Sequence, residues 1–244
     1  KPGHLLVHRM QATREHKVKV NGKTYSGIPV ETCTTCHDRG KRIGVTFQGL
    51  MESAFGSPYA PGGKKQPKLH SKRYIAMHQD VHYQKGMMCL DCHTSIDVHG
   101  DGFLFGANLS QVQIECTDCH GTPSAFPWEL PLGYGEEHAG KNRRKTPRGT
   151  AKTLPRRLKQ GTVYPLEQGY MLTARGNPFR NVVRRGDSVV VHTAGGKDLV
   201  LHPLKAELRA KKLSLEAKVA MVGVEKHVET MECYSCHARW APQC

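Results

Sequence analysis

Eight of the nine cysteines stand in four copies of one short frame. The copies are "CTTCH" (33–37), "CLDCH" (89–93), "CTDCH" (116–120) and "CYSCH" (233–237). Each offers two thiols separated by two residues and an imidazole directly behind them. C-x-x-C-H is the attachment sequence of c-type haem. The sulfurs of Cys33 and Cys36, Cys89 and Cys92, Cys116 and Cys119, and Cys233 and Cys236 would each add across the two vinyl groups of one porphyrin. His37, His93, His120 and His237 would then give a ring nitrogen to the iron as proximal ligands. Zinc is the alternative, because paired C-x-x-C units also describe zinc ribbons, and Cys89, Cys92, Cys116 and Cys119 could build one. Zinc does not require a histidine after every pair, and thioredoxin-like chemistry does not require four copies. Four covalently attached haems are the expectation.

The sixth position on each iron decides between passing electrons and transforming a small molecule. Eleven histidines remain after the four proximal ones, a large supply of distal ligands. His78 and His82 precede the second frame at helical spacing, on one expected face. His99 follows that frame. His227 precedes the fourth, on an expected helical stripe with Ala220, Val224 and Met231, behind Ser214 as N-cap. These four are the leading distal candidates, and for each the alternative is an ordinary surface or hydrogen-bonded histidine. His70 comes next, then His4, His8, His16 and His138; His192 and His202 read as structural. Methionine is the competing ligand, with Met77, Met87 and Met88 near the second frame, although methionine more often fills cores.

The elements that must position these residues are short. "KVKVNGKTYSG" (17–27) reads as a hairpin turning at Asn21-Gly22. "SPYAPGGKKQPK" (57–68) reads as a loop. Residues 119–138 are too rich in proline and glycine for regular structure and should wrap a haem face, with Phe126 and Trp128 against the porphyrin or in an ordinary core. "GYMLTARGNPFRNVVRR" (169–185) and "DSVVVHTAGGKDLVLHPL" (187–204) read as strands, the latter pair around a Gly-Gly turn. Helix should return over 205–231. Residues 1–140 thus form a three-haem region, 141–212 a basic linker with a small β-rich insertion, and 213–244 a helix carrying the fourth motif. With only 22 residues between their motifs (94–115), haems two and three should pack together. The expected fold class is a multihaem cytochrome c, organised by its haems, mostly irregular with short helices and the small β-rich insertion.

The formal charge is +15. Residues 141–160 hold nine lysines or arginines, no acid, and no aromatic side chains for base stacking, so nucleic acid is not an expected partner. An acidic redox partner or the haem propionates suit that stretch better. No apolar run is long enough to cross a bilayer, so no transmembrane segment is expected, although a membrane-associated complex stays open.

With the four motifs in view, "MCLDCHTSIDVHGDG", "ECTDCHGTP", "PWELPLGYG" and "CYSCHARWAPQC" resemble stretches of the large multihaem c-type cytochromes of bacterial respiration. The likeness covers most of residues 70–138 and 225–244. It implies electron transfer through bis-histidine haems in anaerobic or extracellular respiration, in the periplasm or at the cell surface. The implied partners are redox proteins or further copies of the chain, the latter as a filament. It also implies that Cys244 opens a fifth motif, and a fifth haem, in a longer polypeptide; a free thiol is the alternative. The competing function is a multihaem reductase for nitrite, hydroxylamine or sulfur oxyanions, with one open iron. Several of those replace a proximal histidine with lysine, and here all four are histidine.

Overall fold

Residues 170–201 are rich in valine and other strand-forming residues, with continuous apolar runs such as Val189–Val191, and the computed structural model places a four-stranded antiparallel sheet there. Its strands are β5 (Tyr170–Leu172), β6 (Pro178–Arg185), β7 (Ser188–His192) and β8 (Asp198–Leu201), hydrogen-bonded in that order. Two small hairpins precede it: β1 (Lys17–Val20) with β2 (Lys23–Ser26), and β3 (Leu50–Glu52) with β4 (Tyr74–Ala76). The structure describes residues 17–20, 23–26, 28–38, 43–53, 63, 68–69, 71–99, 112–134, 146–158, 164, 166–224 and 226–237. The expected loop over 57–68, His4, His8, His16, His70, His138 and Cys244 lie almost wholly outside them, as does the Asn21-Gly22 turn between the paired Val20 and Lys23.

The four-stranded sheet buries both faces. Val189 and Val191 of β7 join Met171, Phe179, Val182, Phe126, Trp128 and Met87 in one apolar cluster, with Cys92 and Cys119 packed against it. Val190, Val183 and Tyr170 face the other way, onto Leu154 and Leu158. A register shift between β5 and β6 lets Phe179 and Val182, three residues apart, share the first side. The sheet therefore packs directly on the second and third C-x-x-C-H motifs. The 146–158 part of the basic stretch carries the apolar side chains that cover its far face.

Among the described residues the helices are short, as expected, none longer than the six residues of Leu204–Arg209. Where helix was expected over 205–231 there are Leu204–Arg209, Leu215–Lys218, a π turn at Val219–Gly223 and His227–Thr230. Ser214 caps the second, its hydroxyl accepting from the Ala217 N–H at 3.2 Å. The continuous stripe of Ala220, Val224, His227 and Met231 does not form. The π turn ends on Gly223, and Val224 is extended (φ −111°, ψ 94°), so the helix stops inside the expected stripe. The shared face of His78 and His82 is also absent. Asp80 is an N-cap in extended conformation that starts Val81–Gln84 after His78, its carboxylate accepting the His82 N–H at 2.8 Å.

Candidate haem-binding site

All four motifs fold into the same turn. The His37, His93 and His237 N–H groups donate back to the carbonyls of Cys33, Cys89 and Cys233 at 2.9, 2.8 and 3.0 Å, and the third motif is itself the helix Cys116–His120. A helical turn puts residues three apart on one face, so each pair of sulfurs is presented together with the histidine next in line. All eight motif cysteines are free of disulfides.

The motifs meet in sequence order. The thiols of Cys33 and Cys89, first cysteines of motifs one and two, are within hydrogen-bonding reach of each other. Those of Cys116 and Cys233, of motifs three and four, are paired in the same way. Cys92 and Cys119 join motifs two and three on the apolar cluster under the sheet. Burial, with help from Asp91 and Asp80, pushes the Cys92 thiol up to about 12, so it is a neutral thiol. Among the described residues, no three His, Cys, Asp or Glu side chains gather as a metal-ion site, which is what the zinc alternative would need of motifs two and three.

Two histidines face each other across motif three. The ring centroids of His82 and His120 are 6.2 Å apart, with planes 70° to one another. Burial, then His82 and His237, lowers His120 to about 4, so its ring is a neutral base. His82 is fixed through Nδ1, which donates to the Asp80 carboxylate at 2.9 Å and leaves Nε2 as the lone-pair nitrogen. His93 is held likewise: Nδ1–H donates to Asp97. Burial works to lower His93, but the Asp97 carboxylate outweighs it and raises it. His227 donates from Nδ1 to the Ala220 carbonyl at 3.0 Å. His78 is exposed, and His99 ends the helix Ser95–His99. The structure thus brings His82 to a motif histidine. His192 stacks on Tyr164 at 4.8 Å, and the Tyr164 carbonyl accepts from Tyr170 of the second apolar cluster.

Residues that sequence reasoning missed hold the motifs in place. Asp91 and Asp118 occupy the same position, just before the second cysteine of motifs two and three, and both are buried. Asp91 accepts the Met88 and Ala194 N–H groups, each at 2.7 Å, so the turn between β7 and β8 sits on motif two. Burial pushes its carboxyl up to about 6 against those two donors. Asp118 accepts the Glu115 N–H at 2.9 Å and the Arg148 guanidinium at 2.5 Å, both partners of the ion pair being fully buried. Burial pushes Asp118 up to about 6 as well, against the pull of Arg148. Arg148 also donates to the carbonyls of Leu172 and Pro131, at 3.1 and 3.3 Å, tying motif three to β5. The signal was present in the sequence: these two motifs read C-x-D-C-H, and the first and fourth do not.

Close approach is secured by glycine at two places. A Cβ at Gly44 would overlap the His37 carbonyl oxygen, so the helix Ile43–Phe47 packs tightly on motif one only without a side chain there. Gly121 follows His120 at φ 63°, where a Cβ would stand 2.5 Å from the Ala125 carbonyl oxygen. Beyond that turn, Phe126 and Trp128 stack at 4.8 Å, and the Arg184 guanidinium lies 4.0 Å over the Trp128 ring. They form an apolar wall beside Cys92 and Cys119. Paired thiols, free Nε2 atoms and this wall fit covalently bound porphyrins.

Residues 32–121 match the family model described as cytochrome c554 and c-prime. The matched stretch begins one residue before Cys33, ends one residue after His120, and so spans the first three motifs. Searches of curated proteins and of solved structures return no match. The match makes residues 32–121 similar to a family of c-type cytochromes and covers less than half of the chain. Among the described residues no helix is long and apolar enough to cross a membrane.

Proposed function

We propose that the chain is an electron relay of four covalently bound haems, one at each C-x-x-C-H turn. The observation that carries this reading is the order of contact: motif one meets motif two, two meets three, and three meets four. Electrons hop between neighbouring haems, and a chain of successive neighbours is a conducting path. The haem supplies the one-electron chemistry. The polypeptide supplies spacing through the cysteine pairs, orientation through the histidines, and an apolar wall that keeps water from Cys92 and Cys119.

His82 would hold the same iron as His120, as a second imidazole ligand. Two imidazole rings with centroids about 6 Å apart could both reach one metal ion at ordinary metal–nitrogen distances of about 2 Å. The observed 6.2 Å supports that pairing. His78, His99 and His227 are candidates for the other distal positions. A closed sixth position favours electron transfer over the reductase alternative. The relay belongs in the periplasm or at the cell surface, where haem is attached to such motifs, within a large respiratory multihaem chain or a filament of copies. Electron paramagnetic resonance of the ferric protein tests this. Low-spin signals alone are expected; a high-spin signal that responds to nitrite or sulfite would move the assignment to the reductase.

A further inference from the structure

Three imidazoles among the described residues donate to a carboxylate: His82 to Asp80, His93 to Asp97, and His192 to Asp198. Their surroundings differ. The Asp97 side chain is 6% exposed, against 27% for Asp80 and 44% for Asp198. Only the Asp97 contact joins a motif histidine to a buried carboxylate. The Asp97 carboxylate is buried while the His93 side chain is 38% exposed, so its charge acts on the ring from the protein side with only partial screening.

Asp97 is itself held from the sheet. Its N–H donates to the Thr94 hydroxyl at 3.2 Å, and that hydroxyl donates to Gln113 Oε1 at 3.4 Å. The Asn177 amide, in the β5–β6 turn, donates to the same oxygen at 3.3 Å. Gln113 is buried. A connected polar path therefore runs from the sheet to the Asp97 backbone N–H, fixing the turn that carries the carboxylate on His93.

We propose that Asp97 is a positioning residue that makes the second haem the low-potential member of the relay. A carboxylate drawing on Nδ1–H raises the basicity of the ring, and Nε2 becomes a stronger donor to iron. A stronger donor stabilises ferric over ferrous iron and lowers the reduction potential. The couple remains one electron from a reduced neighbour onto one iron; no bond is made or broken, and the Nδ1 proton stays on the ring. The assignment rests on the haem reading above, but the two fail differently. Without attached haem there are no visible bands, whereas with four haems and no tuning the bands are present and the potentials do not respond.

The test is a spectroelectrochemical titration of the four-haem protein and of Asp97→Asn. One of the four one-electron waves should move to more positive potential by a tenfold or larger change in its equilibrium, about 59 mV. The low-spin ferric spectrum should be retained, and Asp97→Glu should restore most of the original potential. If Asp97→Asn gives no holoprotein, Asp97→Ser removes the same carboxylate with a smaller side chain and is read in the same way. Unmoved waves would overturn the proposal. A new high-spin signal would also overturn it, because Asp97 would then be keeping His93 on the iron rather than tuning it.

Discussion

A histidine that closes an iron and one that decorates a surface differ in what a truncation does. In the proposed relay His82 completes the coordination of the iron that His120 holds, with Asp80 holding its ring. His82→Ala should therefore open one iron of four, giving a high-spin ferric signal and cyanide binding at one haem per chain. An unchanged low-spin spectrum would contradict the pairing. Arg148 makes a different demand. It and Asp118 are fully buried, so Arg148→Ala leaves a carboxylate without its cation under the sheet. Breaking such a pair costs about 3–5 kcal/mol, to be read as lost stability of the holoprotein in denaturant. The C-x-x-C-H frames were legible in the sequence because their chemistry sits within five residues. Asp91 and Asp118 were not, because their partners Ala194 and Arg148 lie 103 and 30 residues away. The run of lysines and arginines around Arg148 read as a basic linker for the same reason.

The hairpins were legible wherever a turn and its strands are neighbours. Val20 pairs Lys23 across Asn21-Gly22, and β7 turns into β8 across Gly195-Gly196. The helical faces proposed for His78 and His227 failed because local competitors won: the Asp80 cap in one case, the Val-Gly-Val stretch at the end of the π turn in the other. What the valine run of β7 did not reveal is which partner each face meets. One face meets the wall of Phe126 and Trp128. Trp128→Ala removes a stacked, buried ring from that wall and should cost about 3–5 kcal/mol in thermal or denaturant unfolding. The wall is joined to the helix Leu204–Arg209 by the ion pair of Glu129 with Lys205 at 2.5 Å. Burial works to raise the Glu129 carboxyl, but Lys205 and the Phe126 N–H outweigh it and hold it below its usual value of 4.5. Its folded value is depressed, so its contribution is present above pH 4.5 and is lost as the pH falls through the folded value. The pair is half-exposed and worth under about 1 kcal/mol. Glu129→Gln should flatten that part of an acid unfolding curve and leave neutral stability nearly unchanged.

At the scale of the molecule, the sheet and the haem motifs depend on each other. The sheet buries one face on Cys92, Cys119 and their wall, and it anchors motifs two and three through Asp91 and Asp118. Porphyrins in place would add the largest apolar bodies in the structure, and the contacts between successive motifs make sense as the seams between them. The central claim is attachment at four places, and an intact mass of the purified native protein, taken with its visible spectrum, tests it most directly. The account predicts a mass above that of the polypeptide by four haems for residues 1–244, and bands that survive extraction with acid acetone. A mass equal to the bare polypeptide, or pigment that leaves with the solvent, would contradict it.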